Sequence, residues 1–392
     1  MSSKKNFENE FIKSFKSLFD GKKFSLHDPF FYGDEKDFLA KCIDSTYVSS
    51  FGKYVEEFEN KVKDFTGSKY AIAVTNGTCG LHLGLYCSGV NFGDEIFVPS
   101  LTFVATVNSI IHANAIPHFI DYDQNSLDID YSKLEQHIED QCYFDGKSLF
   151  NKITKNKIYG LLVIHPFGHP MNMQMASKFS KKYNLQLFED AAESLGSFFS
   201  NKHTGNFGKF GVLSFNGNKI ITTGGGGMVI TNNTTLANKI RHISKTSKIN
   251  HPWKFEHDAL GYNYRLPNLN ASLGLSQLKH IKKIINFKRM LYKIYFKNFQ
   301  KFDEFCLISE PENCKSNYWL QTIKLKNNSF SKFNKFINFA NEHNVQMRPV
   351  WSPAHKFKYL RKFPKMNLDN TVKLERSLIN IPSGYDLRSR LR

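Results

Sequence analysis

Between about residues 52 and 245, short apolar runs alternate with amphipathic stretches. Val55, Phe58, Val62 and Phe65 recur at helical spacing and predict a helix from Tyr54 to Phe65. Tyr70 to Val74 predicts a short buried strand, and Thr75-Asn76-Gly77-Thr78 the turn that starts a helix over Cys79 to Ser88. The unit recurs: a strand at Glu95 to Pro99, a helix at Thr102 to Ala113, a strand at His118 to Asp121. Further strands are expected at Ile158 to Ile164 and Leu185 to Phe188, with a helix from about Met171 to Tyr183 between them. Strands alternating with helices of this length predict βαβ units, hence an α/β fold with a largely parallel sheet. After Gly261 the pattern changes. A long helix from Ser272 to Tyr295, a strand from Trp319 to Leu325 and a helix near Phe330 to His343 suit a smaller α+β domain. The expected organisation is an N-terminal segment (1–37), a large domain (38–255) and a small C-terminal domain (256–392).

Ligands of such sheets bind beyond the carboxyl ends of the strands, and the chemically distinctive residues fall there. Leu185 to Phe188 runs into Glu189-Asp190-Ala191-Ala192-Glu193. Val212 to Phe215 runs into Asn216-Gly217-Asn218-Lys219, then Thr222-Thr223, then a glycine tract from Gly224 to Gly227, before the strand Met228 to Thr231. A lysine and an aspartate at separate strand ends are what a pyridoxal phosphate enzyme requires. The lysine forms the Schiff base and the aspartate keeps the pyridine nitrogen protonated. Either residue alone has a plainer reading, a solvated lysine or a helix-capping acid. Asn76-Gly77-Thr78 offers backbone N–H groups at a helix N-terminus, which is an anion site, although Asn-Gly is also an ordinary turn. Ser214 is placed to donate to a phosphate, or is a solvated strand-end serine. Phe103 presents a ring to an aromatic cofactor, or packs in the core. Glu193 contacts the cofactor hydroxyl, or caps its own helix.

Composition narrows the alternatives. Six scattered cysteines without a C-x-x-C pair read as free thiols, and no clustered ligands suggest a zinc site. The net charge of +18 raises nucleic-acid binding, but the basic residues are spread along the chain. Anionic small molecules suit the charge equally. No apolar run approaches the roughly 18 to 20 residues that span a bilayer. The N-terminal stretch is amphipathic, with no continuous apolar signal core. The expectation is a cytoplasmic protein without nucleic-acid or membrane partners.

In order, Asn76-Gly77-Thr78, Pro99 to Thr106, Glu189 to Glu193, Ser214 to Gly227 and Gly261-Tyr262-Asn263-Tyr264-Arg265 resemble the DegT/DnrJ/EryC1/StrS sugar aminotransferases. The resemblance runs from about Asp28 to Leu387. It implies a fold type I pyridoxal-phosphate-dependent transferase, with a mostly parallel central sheet sandwiched by helices and a smaller C-terminal α+β domain. It implies Lys219 as the Schiff-base lysine, Asp190 as the pyridine-nitrogen partner and Phe103 as the stacking ring. Gly77, Thr78 and Ser214 match phosphate contacts. Asn263 matches an asparagine lent by the neighbouring subunit, which implies a homodimer. Glu193 stands where many members carry glutamine. The family's sugar 3-dehydratases carry histidine in place of the lysine, so Lys219 argues against that chemistry.

Finer motifs at Ser45 to Tyr54, Asn216 to Gly227 and Met347 to Trp351 look like the subgroup that aminates legionaminic or bacillosamine-type sugars. Lys53, Arg348 and Trp351 are the substrate-contact candidates there. The implied reaction moves an amino group from L-glutamate to a nucleotide-linked 4-keto-6-deoxy sugar carrying a 2-acetamido group. The alternatives are another sugar or cyclitol aminotransferase of the family, perosamine-type included, and a non-catalytic regulatory protein on the same fold.

Overall fold

The computed structural model describes residues 7–326 and 330–392, so the first six residues of the N-terminal segment lie outside the described residues. Seven strands carry the main sheet: β1 (Tyr70–Val74), β2 (Glu95–Pro99), β3 (Ile116–Ile120), β4 (Lys157–Ile164), β5 (Gln186–Asp190), β6 (Gly211–Ser214) and β7 (Gly227–Thr231). Their spatial order is β1-β7-β6-β5-β4-β2-β3, and a short hairpin, Cys142–Phe144 with Leu149–Asn151, extends the sheet beside β4. The run β6-β5-β4-β2-β3 is parallel. Its strands are buried along most of their length, which is why they read as continuous apolar runs. β7 is antiparallel to both β1 and β6. It returns from β6 through the glycine tract with no crossover helix, and such a connection yields an antiparallel neighbour.

The helices, in chain order, begin with α1 (Phe7–Leu18), α2 (Glu35–Asp44), α3 (Lys53–Thr66), α4 (Gly77–Cys87) and α5 (Val104–His112). They continue with α6 (Tyr131–Gln141), α7 (Met173–Lys182), α8 (Thr234–Ile243), α9 (Asn268–Lys279) and α10 (Ile281–Phe299). α3 follows Gly52, which has no side chain with which to cap it. Asn268 supplies the acceptor instead, taking the N–H groups of Tyr54 and Val55 at 3.0 and 3.3 Å. The helix expected from Ser272 to Tyr295 is two helices, α9 and α10, parted at His280. The apolar spacing continues across the break. His280 is held by stacking on Tyr32, ring centroids 3.8 Å apart, and by Asp34 at 3.2 Å, partners that periodicity cannot reveal.

A second sheet of β8 (Phe305–Leu307), β9 (Gln321–Leu325), β10 (Arg348–Pro349) and β11 (Leu378–Ile381) is antiparallel, ordered β8-β9-β11-β10. Phe11 and Phe15 of α1 pack into an aromatic cluster with Phe299, Phe305, Phe336 and Tyr295. The described part of the N-terminal segment is thereby joined to residues far along the chain. Inside α10, Lys288 is fully buried, and its amine donates to the carbonyls of Trp319 and Ser383 at 3.0 and 2.6 Å.

Burial lowers the Lys288 pKa to about 7. A lysine depressed in this way binds fewer protons folded than unfolded, so its cost grows as pH falls from the ordinary lysine range to about 7. The melting temperature of Lys288→Met, relative to the parent, should therefore be more favourable at pH 7 than at pH 10. Thermal denaturation at the two pH values checks this, and an identical difference at both would overturn it.

Candidate active site

The site lies at the carboxyl edge of the main sheet, where β1, β5 and β6 end. Beyond β1, Asn76 accepts the N–H of Cys79 at 2.8 Å and caps α4. The helix consequently begins at Gly77, earlier than the expected Cys79, leaving the first-turn N–H groups available to an anion. A Cβ on Gly77 would stand 3.4 Å from that of Ser214, so the helix start and the end of β6 face each other closely. Half-buried Thr78 follows in the same turn. The glycine tract has a definite use here. A side chain on Gly227 would meet the backbone of Asn76 and Gly77 at 2.6 to 2.8 Å.

Asp190 is the last residue of β5 and is buried. One carboxylate oxygen accepts the Thr106 hydroxyl at 2.7 Å and the other the Ala192 N–H at 3.1 Å. Burial raises its pKa, opposed by these hydrogen bonds and by the charges of Lys219 and His165. Among the described residues no ion pair neutralises it. A buried carboxylate without a bonded cation is a costly arrangement that a protonated ring nitrogen would complete. Thr106 belongs to α5, whose N-cap is Phe103, with its ring 55% exposed. That ring therefore stands free beside the segment that carries Thr106 to Asp190.

Lys219 lies in the turn after β6. Its amine is 3.1 Å from Glu193 Oε1 and 4.0 Å from the centroid of the Trp319 indole. The other Glu193 oxygen accepts the N–H of Phe167 at 2.9 Å, so this carboxylate serves tertiary partners rather than a helix cap. Burial raises its pKa, against the charge of Lys219. Trp351 stacks on Phe167, ring centroids 4.9 Å apart, and so joins the same wall. Lys53 at the start of α3, Arg348 on β10 and Asn263 in the loop after α8 are exposed. Among the described residues, no hydrogen bond or ion pair joins these three to Lys219, Asp190 or Glu193.

Several site residues escaped the sequence reading. Thr106 bonds Asp190, and Phe167 bonds Glu193. Trp319, read as part of a strand, precedes β9 and faces Lys219 instead. Asn317 donates to the carbonyls of Glu193 and Leu195 at 2.9 and 3.0 Å. His27, from the N-terminal segment, lies 6.3 Å from Trp319 ring to ring, and both of its ring nitrogens are buried without partners. The charges of Lys288 and Lys219 add to burial in lowering its pKa. A spacing of four between Thr102 and Thr106 is the only local signal among these residues.

The donor set fits pyridoxal phosphate: a largely buried amine, a buried carboxylate without an ion-pair partner among the described residues, helix N-terminal N–H groups beside a serine, and an exposed flat ring. The DegT/DnrJ/EryC1/StrS aminotransferase family profile matches residues 32–390. The chain belongs to this family. GDP-perosamine synthase of Escherichia coli O157:H7 is 35% identical over 341 residues, 87% of this chain and 88% of that protein. The UDP-4-amino-4,6-dideoxy-N-acetyl-beta-L-altrosamine transaminase of Campylobacter jejuni serotype O:23/36 is 29% identical over 355 residues, 90% of each chain. Among solved structures, Helicobacter pylori PseC, an aminotransferase involved in the biosynthesis of pseudoaminic acid, superposes with a TM-score of 0.83 at 23% identity. That match covers 92% of this chain and 94% of that one. The expected fold type I architecture is therefore the observed one. As a DegT-family member, the chain is a sugar aminotransferase with pyridoxal phosphate as its cofactor. Among the described residues no helix is long and apolar enough to cross a membrane.

Proposed function

We propose that this enzyme moves the amino group of L-glutamate to C4 of a nucleotide-linked 4-keto-6-deoxy sugar that carries a 2-acetamido group, as in legionaminic or bacillosamine-type synthesis. The observation that carries the reading is the meeting of Lys219, Glu193 and Asp190 at the strand ends of a DegT-family chain. When bound, pyridoxal phosphate supplies an electron sink for the substrate carbon. Lys219 would hold the cofactor covalently and, freed by the donor, its Nζ would take the proton from glutamate Cα. The charge of Asp190 would keep the proton on the ring nitrogen. The N–H groups of Gly77 and Thr78, with the Thr78 and Ser214 hydroxyls, would hold the phosphate, Phe103 would offer its ring to the cofactor, and Glu193 would be available to the ring oxygen. Arg348 and Lys53 suit a nucleotide diphosphate, and Trp351 offers a flat face to sugar or base. A nucleotide-linked substrate also suits a cytoplasmic site of action.

A second reading, a GDP-linked sugar without the acetamido group, is favoured by the GDP-perosamine synthases among the relatives. Initial rates with UDP-, GDP- and dTDP-linked 4-keto sugars, each with and without the 2-acetamido group, separate the two. Turnover confined to free amino acids or unphosphorylated polyols would remove both.

The working form is a homodimer in which Asn263 reaches the second copy's phosphate site. Phe51, Trp253, Phe255 and Leu260 support this, since all are more than two-thirds exposed and lie near Asn263 in sequence or through Arg265. Exposed apolar clusters of this kind mark contact surfaces. Asn263→Ala is expected to weaken cofactor retention about tenfold, the loss of one or two hydrogen bonds to a charged group, with the melting temperature of the cofactor-free protein unchanged. Equilibrium dialysis measures the first, and sedimentation at micromolar concentration tests the dimer. A fully active monomer would sink it.

A further inference from the structure

Trp319 is clamped onto the turn that carries Lys219. Its indole N–H donates to the Asn218 carbonyl at 2.7 Å, and its backbone N–H donates to Asn317 Oδ1 at 2.7 Å. Its own carbonyl accepts the buried Lys288 amine at 3.0 Å. Asn317 in turn grips the Glu193 and Leu195 carbonyls. Gly168 leaves room for that amide, since a Cβ there would collide with Asn317 Oδ1. The stretch 317–319 therefore ties together the two strand-end turns that bear Glu193 and Lys219. The ring it fixes is 4% exposed and has the Lys219 amine 4.0 Å from its centroid, while Glu193 Oε1 meets the same amine at 3.1 Å. An aromatic face attracts a cation most strongly where water is excluded.

We propose that Trp319 is the positioning residue of Lys219: its indole face and the Glu193 carboxylate form a seat for the lysine amine when it is not joined to the cofactor. The proposal rests on Lys219 being the cofactor-bearing lysine. In the donor half-reaction the glutamate Cα–H bond breaks, and its electron pair stays with that carbon and the conjugated cofactor. The proton forms a new N–H bond on Lys219. The ammonium so made is the species that the indole face and the carboxylate stabilise. It is neutral again when the proton moves on to the cofactor carbon. Lys219 does the chemistry, and Trp319 sets where its amine waits.

The test is single-turnover kinetics of the holoenzyme with L-glutamate, followed by cofactor absorbance. Trp319→Leu is expected to lower the saturating rate constant about 10- to 100-fold while the glutamate concentration for half-saturation stays within about threefold. Trp319→Phe, which keeps an aromatic face, should recover most of the loss. A site-specific series of fluorinated tryptophans at 319 keeps the shape of the ring and weakens its negative face, so the rate should fall stepwise with fluorine number. That series decides the matter should Trp319→Leu fail to fold. In cofactor-free protein, acetic anhydride should label Lys219 at least about threefold faster in Trp319→Leu than in the parent, because the free amine has lost part of its seat. A flat fluorination series, or a folded Trp319→Leu with the parent's rate, overturns the proposal alone. Borohydride trapping of the cofactor on another lysine overturns both the proposal and the assignment of Lys219.

Discussion

Lys219→Ala is expected to lower transamination by at least about 10⁴-fold, the upper range for a general acid–base group, while the protein stays folded. On the proposed mechanism the residue both anchors the cofactor and moves the Cα proton, and among the described residues no neighbour duplicates the two roles. Glu193 is the nearest titratable neighbour, and burial favours its protonated form. The structural cost of the change is small. The Lys219 side chain is largely buried, and among the described residues its polar contacts are with Glu193 and the indole face of Trp319. With the lysine gone, Glu193 loses the charge that opposes its raised pKa, which shifts it further towards the neutral form that burial tolerates. Three measurements check this: single-turnover kinetics, borohydride trapping read by mass spectrometry, and thermal melting. Undiminished turnover in Lys219→Ala without an added amine would refute the assignment.

Asp190→Asn should lower the rate by about 10² to 10³, the scale for removing one preorganised electrostatic group. The amide keeps the shape and can still accept from the Thr106 hydroxyl, but it carries no charge to hold a proton on the ring nitrogen. Stability should move the opposite way. The carboxyl pKa of Asp190 is raised by burial, so the folded, cofactor-free protein binds its proton more readily than the unfolded chain. The contribution of such a group is fully present below the ordinary carboxylate range and is lost as pH rises through the raised value. Relative to the parent, the cofactor-free Asn variant should therefore be more stable at pH 7 than at pH 4, while its holo form loses cofactor more easily. Denaturant titrations at the two pH values, with and without cofactor, read both effects. A variant that retains parental turnover would show that Asp190 is only a structural acid.

The opposing signs in that prediction show how function sits against stability in this fold. The same buried carboxylate that costs stability when alone becomes useful beside a positive ring. Lys288 is a second buried titratable group, but it has a different use. It spends its hydrogen bonds on the carbonyls of Trp319 and Ser383 and so helps hold the indole against Lys219.

Much of the fold is legible in the residues alone. The strand-turn-helix alternation from Tyr70 onward is the observed one, and Glu95–Pro99 matches to the residue. These elements are set by burial on both faces and by local turn chemistry, which a chain displays in its own neighbourhood. The candidate positions Lys219, Asp190, Glu193, Gly77 and Ser214 stand near one another for a related reason, because an α/β sheet places its strand ends together. The antiparallel run of β7 was less visible, since Met228 to Thr231 reads as a strand in either direction. The break at His280 was invisible, because the apolar spacing passes through it.

What the sequence by itself determined is which residues are apolar, where the chain turns, and which types of group stand at each turn. Tertiary structure alone decided which of those groups meet. Thr106 reaches Asp190 across 84 positions, Trp319 reaches the Asn218 carbonyl across 101, and Asn268 caps α3 across 214. Each is a hydrogen bond between groups whose partner depends on the packing of whole elements. Periodicity encodes which face of a helix or strand is buried, and it carries no record of what will be packed against that face. Lys219 stands out locally as a candidate, but the indole ring and the carboxylate that meet its amine come from segments 100 and 26 positions away and were brought to it only by tertiary packing.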